Sequence, residues 1–345
     1  MGFINCINTV ARKSNGNIMT FYQKDNNLYL IECEYKSGWN EPKEIINDIC
    51  DNQFNIQIDK EDNMYGIVSR KNGEVLYFYT NEDDNIEYKK LFEYDSKKYI
   101  LRYPNIKKLD QNLHIIYYLQ DISDRKIWAM FSHYFDGENW IEGNVDFVVS
   151  YPVINPFIVS DSEGTLNICY FNIVNGVEEI FTSRFNYSAK SWTKPLQLTN
   201  TNNKKIYLNT LQDKMNICHI TWSEFVNGNL VVKYTNGYLK EGFINECNVK
   251  SLSEQSNCSF PTLIKTGKAL WCIWTQMNKL YNCYSFDYGK TWSEPDIDDQ
   301  SIENDFIRYK FISNNSQDLN NFKLDTTFGT NYPRISFIGF KNLNK

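Results

Sequence analysis

Four tryptophans each open a near-copy of one phrase: Trp39-Asn-Glu-Pro42, Trp140-Ile-Glu-Gly143, Trp192-Thr-Lys-Pro195 and Trp292-Ser-Glu-Pro295. They stand 101, 52 and 100 residues apart, which fits a unit of about fifty residues if two copies have eroded. The eroded copies fall at Tyr88-Lys-Lys-Leu91 and Phe243-Ile-Asn-Glu246, where only the aromatic survives. Self-similarity at this period marks propellers and solenoids, whose units bury their apolar faces only against one another.

The stretch 103–148 shows the unit best. Strand-like runs at 103–109, 113–119, 126–134 and 140–148 are separated by the turn residues Asp110-Gln-Asn112, Asp121-Ile-Ser-Asp124 and Asp136-Gly137. Four short antiparallel strands per unit make the blade of a β-propeller. The second runs, Leu113–Tyr118, Leu166–Phe171 and Leu270–Trp274, are largely apolar on both alternating faces, as a sheet sandwiched between neighbours requires. Units then run over 8–46, 52–94, 103–148, 155–198, 206–249 and 260–298. The remainder, 306–340, offers three more strand-like runs, and residues 3–7 can add a fourth by joining the two chain ends. The expectation is an all-β, single-domain propeller over 1–345 with seven four-stranded blades, the alternative being six blades plus a C-terminal extension.

Before the last tryptophan stands Ser285-Phe-Asp-Tyr-Gly-Lys-Thr-Trp292. In a tight loop Asp287 can accept from the loop's own N–H groups, Gly289 supplies a left-handed position, Ser285 and Thr291 close the turn, and Trp292 anchors it. The string resembles the Asp-box, S-x-D-x-G-x-T-W, of the sialidase-type (BNR-repeat) propellers. Shortened or lengthened versions stand at Phe135–Trp140 and Phe185–Trp192, and a weaker one at Glu34–Trp39. The resemblance implies a propeller whose Asp-boxes are structural and lie away from the ligand-binding face. Arg102-Tyr-Pro104 is similar to the family's R-I-P element, whose Arg holds a substrate carboxylate, although here it falls in the third unit instead of the first.

Functional classes narrow quickly. The net charge is −6, with 36 basic and 42 acidic residues intermixed, and no basic stripe marks a nucleic-acid partner. No apolar run approaches the roughly 18 residues of a membrane span, and no leader pattern opens the chain, so a cytoplasmic protein is expected. Nine cysteines scattered singly read as reduced thiols. His114, His133 and His219 sit in strand patterns without metal spacing, and the acidic run Asp296-Ile-Asp-Asp299 has Ser301 where an EF-hand loop wants Gly. No metal, cofactor or catalytic residue is assigned: only seven arginines occur, and none sits in a complete sialidase motif.

Alternation of connections puts the loops between second and third strands, and the links between blades, on the face opposite the Asp-box loops. Arg102 precedes a first strand there, and Arg70, Arg125 and Glu224 lie in loops of the same face. Arginine grips a carboxylate or phosphate bidentately, so these four are the candidate ligand residues, for an acidic glycan or protein. The expected function is a non-catalytic binding propeller for a glycan or protein ligand. A divergent sialidase-like glycoside hydrolase and a protein-interaction scaffold are the alternatives.

Overall fold

The computed structural model describes residues 2–34, 37–81, 83, 85–150, 152–162, 164–238 and 249–341, and nearly all regular structure in them is strand. The eroded phrase at Phe243–Glu246 lies outside the described residues. Local sequence sets the hairpins. Asp25-Asn26, Asn175-Gly176, Asn227-Gly228 and Met277-Asn278 each place two consecutive residues at positive φ, the two-residue turn whose twist matches that of the flanking strands.

Six sheets result, and the chain is a β-propeller of mainly four-stranded antiparallel blades. Their first strands are Phe3–Arg12, Ile49–Ile58, Tyr99–Leu109, Ile158–Ser162, Lys205–Gln212 and Ser259–Thr266. Apolar clusters fill the gaps between neighbouring sheets. Phe21 and Leu28 meet Ile56 and Phe78, Tyr118 meets Phe157 and Tyr170, and Tyr234 meets Trp274. Trp222 and Trp274 are fully buried, each contributing about 4–6 kcal/mol of gross burial at about 25 cal/mol per Å².

Residues 306–340 do not form a sheet of their own. Phe306–Ser313 lies parallel to Phe3–Arg12, in register from Ile7↔Arg308 to Arg12↔Ser313, and Thr326–Thr330 and Phe337–Ile338 continue the sheet outward. The first sheet thereby reaches eight strands, and the inner edge of Phe3–Arg12, which would otherwise present unpaired backbone groups, is covered. Between those strands the chain makes a short helix, Ser316–Asn321, and Phe322–Lys323, which pairs with the first strand of the sixth sheet. The segment also reaches the fifth sheet, where the Asn209 amide donates to Thr326 Oγ1 at 3.0 Å. The C-terminal segment thus occupies the axis of the ring.

The Ser285–Trp292 loop closes on itself. Thr291 donates to Asp287 through its N–H (2.8 Å) and its hydroxyl (2.6 Å), and the Ser285 hydroxyl donates to Asp287 (2.8 Å) while accepting from Gly289 N–H (2.8 Å). Trp292 stands edge-on to Tyr234 at 4.9 Å. The altered copies keep the Asx turn: Asp136 accepts from Glu138 and Asn139, and Asn186 from Ala189. They do not all keep the anchor, since Trp140 is half exposed and, among the described residues, its one aromatic ring contact is Phe135.

Candidate functional site

The second strand of each blade carries a polar side chain near its end, and in all but the third blade it bonds a residue at the junction with a neighbouring blade. Gln23, Arg70, Gln120, Asn172, Glu224 and Gln276 occupy this position. Asn172 accepts from Val149 N–H (3.0 Å), Gln23 from Asn52 N–H (2.7 Å) and Gln276 from the Cys258 thiol (3.2 Å). Glu224 belongs to this series. Its carboxylate is buried and accepts from Thr201 Oγ1 (2.8 Å), Trp222 Nε1 (3.0 Å) and Asn203 Nδ2 (3.2 Å). Beside it Lys205 and Glu179, 0% and 1% exposed, form an ion pair at 2.9 Å, which Thr199, Thr201 and Asn202 complete by donating to the Glu179 carboxylate. These charges hold the link between the fourth and fifth sheets.

Arg70 takes the same latch position, donating to the Asn47 carbonyl (3.2 Å) and pairing with Glu74 (3.2 Å). Arg102 is half-buried in the third sheet beside Tyr94 and Tyr103, donating to the Leu101 carbonyl at 3.5 Å, and Arg125 is exposed in the turn of that sheet. No hydrogen bond or ion pair joins any two of Arg70, Arg102, Arg125 and Glu224 among the described residues. The histidines are packed side chains. His219 bonds Tyr234 Oη (2.7 Å) and faces Asp213 (3.4 Å), His133 bonds Tyr117 Oη (2.8 Å), and burial pushes His114 down to about 4. Asp298 of the acidic run caps the helix Asp299–Glu303, and among the described residues no group of three potential ligands is placed to hold a metal.

A different site stands on the axis. The first strands of the second, third and fourth sheets and the C-terminal segment line an open-mouthed cavity of about 330 Å³. Its polar lining includes Asn55, Gln57, Asn105, Lys107, Lys310 and Asp325, with the rings of Phe157 and Phe311 as apolar walls. Leu319 and Lys323, both exposed, border it beside the helix Ser316–Asn321.

Toward the other end of the axis, bulges in the first strands put Tyr103, Tyr207 and Phe260 at φ of 54°, 58° and 54°. Bulky side chains rarely accept that conformation, and packing enforces it here. The rings of Tyr207 and Phe260 lie 4.1 Å apart, and the Arg308 guanidinium covers Phe260 at 3.9 Å.

The cavity's charges are perturbed. Burial pushes the Lys310 ammonium down, with repulsion from Arg308 adding to it, and burial pushes the Asp325 carboxyl up against the opposing pull of Lys107 and Lys323. Asp318, the other carboxylate of the wall, pairs with Arg12 (2.9 Å) and accepts from Ser313 Oγ (2.6 Å). Pockets of this size with a few converging polar groups are the usual form of a small-molecule site, at the lower end of roughly 300–1,000 Å³. Sequence reasoning passed over Lys310 because Phe306–Ile312 alternates apolar with polar, the pattern of a strand with one wet face.

No family model matches this chain, and no curated protein matches its sequence significantly. Solved structures do share its fold. An α-L-arabinanase of Penicillium chrysogenum complexed with arabinobiose is 9% identical, with a TM-score of 0.55 over 85% of this chain and 93% of that one. The polysaccharide lyase Uly1 is 10% identical, with a TM-score of 0.55 over 85% and 81%. A GH93 α-L-arabinofuranosidase of Fusarium graminearum, complexed with arabinobiose, is 12% identical at a TM-score of 0.50 over 73% and 82%. These likenesses establish the β-propeller fold and do not single out the sialidase type.

Proposed function

We propose that the chain is a carbohydrate-binding propeller that receives its ligand in the axial cavity. The observation that carries this reading is the composition of the wall: the amide of Asn105 and the ammonium groups of Lys107 and Lys310 face one space without protein partners among the described residues. Amides and ammoniums bond hydroxyls, and aromatic walls take the C–H face of a sugar ring. The ligand enters past Leu319 and Lys323, beside the helix that follows Phe306–Ser313. The likeness to propellers whose names state a polysaccharide or arabinobiose supports a saccharide over a polypeptide. Arg102 and Arg125 do not line the cavity.

Binding without cleavage is favoured because Asp318 is committed to Arg12 and Ser313, which leaves Asp325 without the second carboxylate that the usual glycosidase pair supplies. One observation favours the hydrolase alternative. A carboxyl whose pKa is raised by desolvation, as that of Asp325 is, moves toward the range of a general acid. Calorimetric titration with a panel of neutral and acidic oligosaccharides, read beside reducing-sugar release from the same panel, separates the two. Binding weakened at least about tenfold, or about 1.4 kcal/mol, by Asn105→Ala is expected, with no sugar release. Release that Asp325→Asn abolishes would replace this reading with the hydrolase, and a panel without any binder would reject the carbohydrate reading.

A further inference from the structure

The axial cavity holds a positive charge that the fold does not balance. Lys310 sits mid-strand in Phe306–Ser313, half-buried, and lines the cavity. Among the described residues its ammonium has no hydrogen bond and no ion pair. Lys107 and Lys323 bring two more ammonium groups to the wall, while Asp318 is neutralised by Arg12 at 2.9 Å. Three lysines therefore meet one uncommitted carboxylate, Asp325, inside a chain whose net charge is −6. Lys107 and Lys323 pull on the Asp325 carboxyl, while no carboxylate pairs with Lys310 among the described residues. A half-buried charge without a counter-ion is costly, and a ligand that supplies one recovers that cost.

We propose that the cavity binds an acidic sugar, a hexuronic acid unit of an oligosaccharide, whose carboxylate is the counter-ion that Lys310 lacks. The proposal rests on the carbohydrate reading above and narrows its ligand class. A bare anion would engage the lysines alone. A uronic acid ring also engages the amides of Gln57 and Asn105 through its hydroxyls and the rings of Phe157 and Phe311 through its C–H faces, all in the same wall. Burial of Lys310 points the same way, since its lowered ammonium is restored to full charge by a bound carboxylate.

The test is calorimetric titration of digalacturonic acid, neutral digalactose and inorganic phosphate into the full chain and into the Lys310→Met and Asp325→Asn variants, each checked for an unchanged melting profile. The acidic disaccharide should bind at least about tenfold more tightly than the neutral one. Lys310→Met should erase that preference, and Asp325→Asn, which removes a repulsive charge, should strengthen acidic binding severalfold. Equal affinity for the two sugars, or a preference that survives Lys310→Met, overturns the proposal while leaving the carbohydrate reading intact. Phosphate binding as tightly as digalacturonate overturns it in favour of a simple anion site. Failure of both sugars to bind removes the carbohydrate reading and this one together. If Lys310→Met does not fold, Asp325→Asn decides: weaker or unchanged acidic binding in that variant counts against the proposal.

Discussion

Gly289 offers a test in which conformational strain and collision can be weighed apart. Its φ is +85°, and a Cβ there would lie 1.9 Å from Tyr234 Oη and 2.5 Å from Cζ. Tyr234 has nowhere to go: it is 1% exposed, bonds His219 at 2.7 Å and packs edge-on to Trp292 at 4.9 Å. Gly176 and Gly228 have nearly the same φ, +85° and +84°, yet a Cβ at either meets nothing within 4 Å. Left-handed backbone costs an L side chain roughly 1–2 kcal/mol, partly offset by the reduced freedom of the unfolded chain, so Gly176→Ala and Gly228→Ala should each lose about 1 kcal/mol. Gly289→Ala adds the overpacking of a full core, about 1–3 kcal/mol, for a total of about 2–4. Equilibrium urea unfolding with unchanged m-values measures all three. Equal losses within about 0.5 kcal/mol would refute the claim that Tyr234 is immobile behind this loop.

Hydrogen bonds from Thr291 hold the Asp287 carboxyl at about 2, below its ordinary range, so the stability it contributes is present above about pH 4 and lost as the pH falls toward 2. Wild type and Asp287→Asn should therefore melt apart at pH 5 and converge near pH 2; a gap that stays constant with pH contradicts this. Lys205→Met strands the buried Glu179 carboxylate and should cost about 3–5 kcal/mol in urea unfolding, whereas a loss under about 1 would mean that the pair is not enclosed. Deleting residues 1–7 removes Phe3 from its contacts with Phe260, Phe306 and Phe328 and exposes the Phe306–Ser313 edge, so calorimetry should show the whole transition moving down; a melt like that of the full chain would show that the terminal strand closes nothing.

The repeat was legible because its signals are local. Asp-Gly and Asn-Gly pairs, tryptophan phrases and doubly apolar second strands each follow from backbone preference or from burial on both faces. The partner of a strand is not local. Phe306–Ser313 reads as a half-wet strand, and its choice of Phe3–Arg12 as neighbour, in parallel, depends on a contact with the far end of the chain. The same alternation hid the site: Arg308 and Lys310 look solvent-facing, but one covers Phe260 and the other lines the axial cavity. Glu224 reads as a loop acid available to a ligand, and only the positions of Thr201, Trp222 and Asn203 around it reveal a structural role. The latch series Gln23, Arg70, Gln120, Asn172, Glu224 and Gln276 was present in the repeat but shares polarity and not identity, so no motif marked it.

Pairing of the two chain ends also imposes an order on biosynthesis. Gly2 N–H bonds Asp305 across 303 positions of sequence, and every rung beside it spans a comparable distance. A chain emerging from a ribosome can complete its second to fifth sheets one after another, each from contiguous residues. The first sheet must wait with its inner edge bare until residues 306–313 have been made. Throughout that interval the nascent protein presents an unpaired strand edge to its surroundings, so the closing of the first sheet is the step most exposed to misassociation, and the roughly three hundred residues between the two strands make it slow.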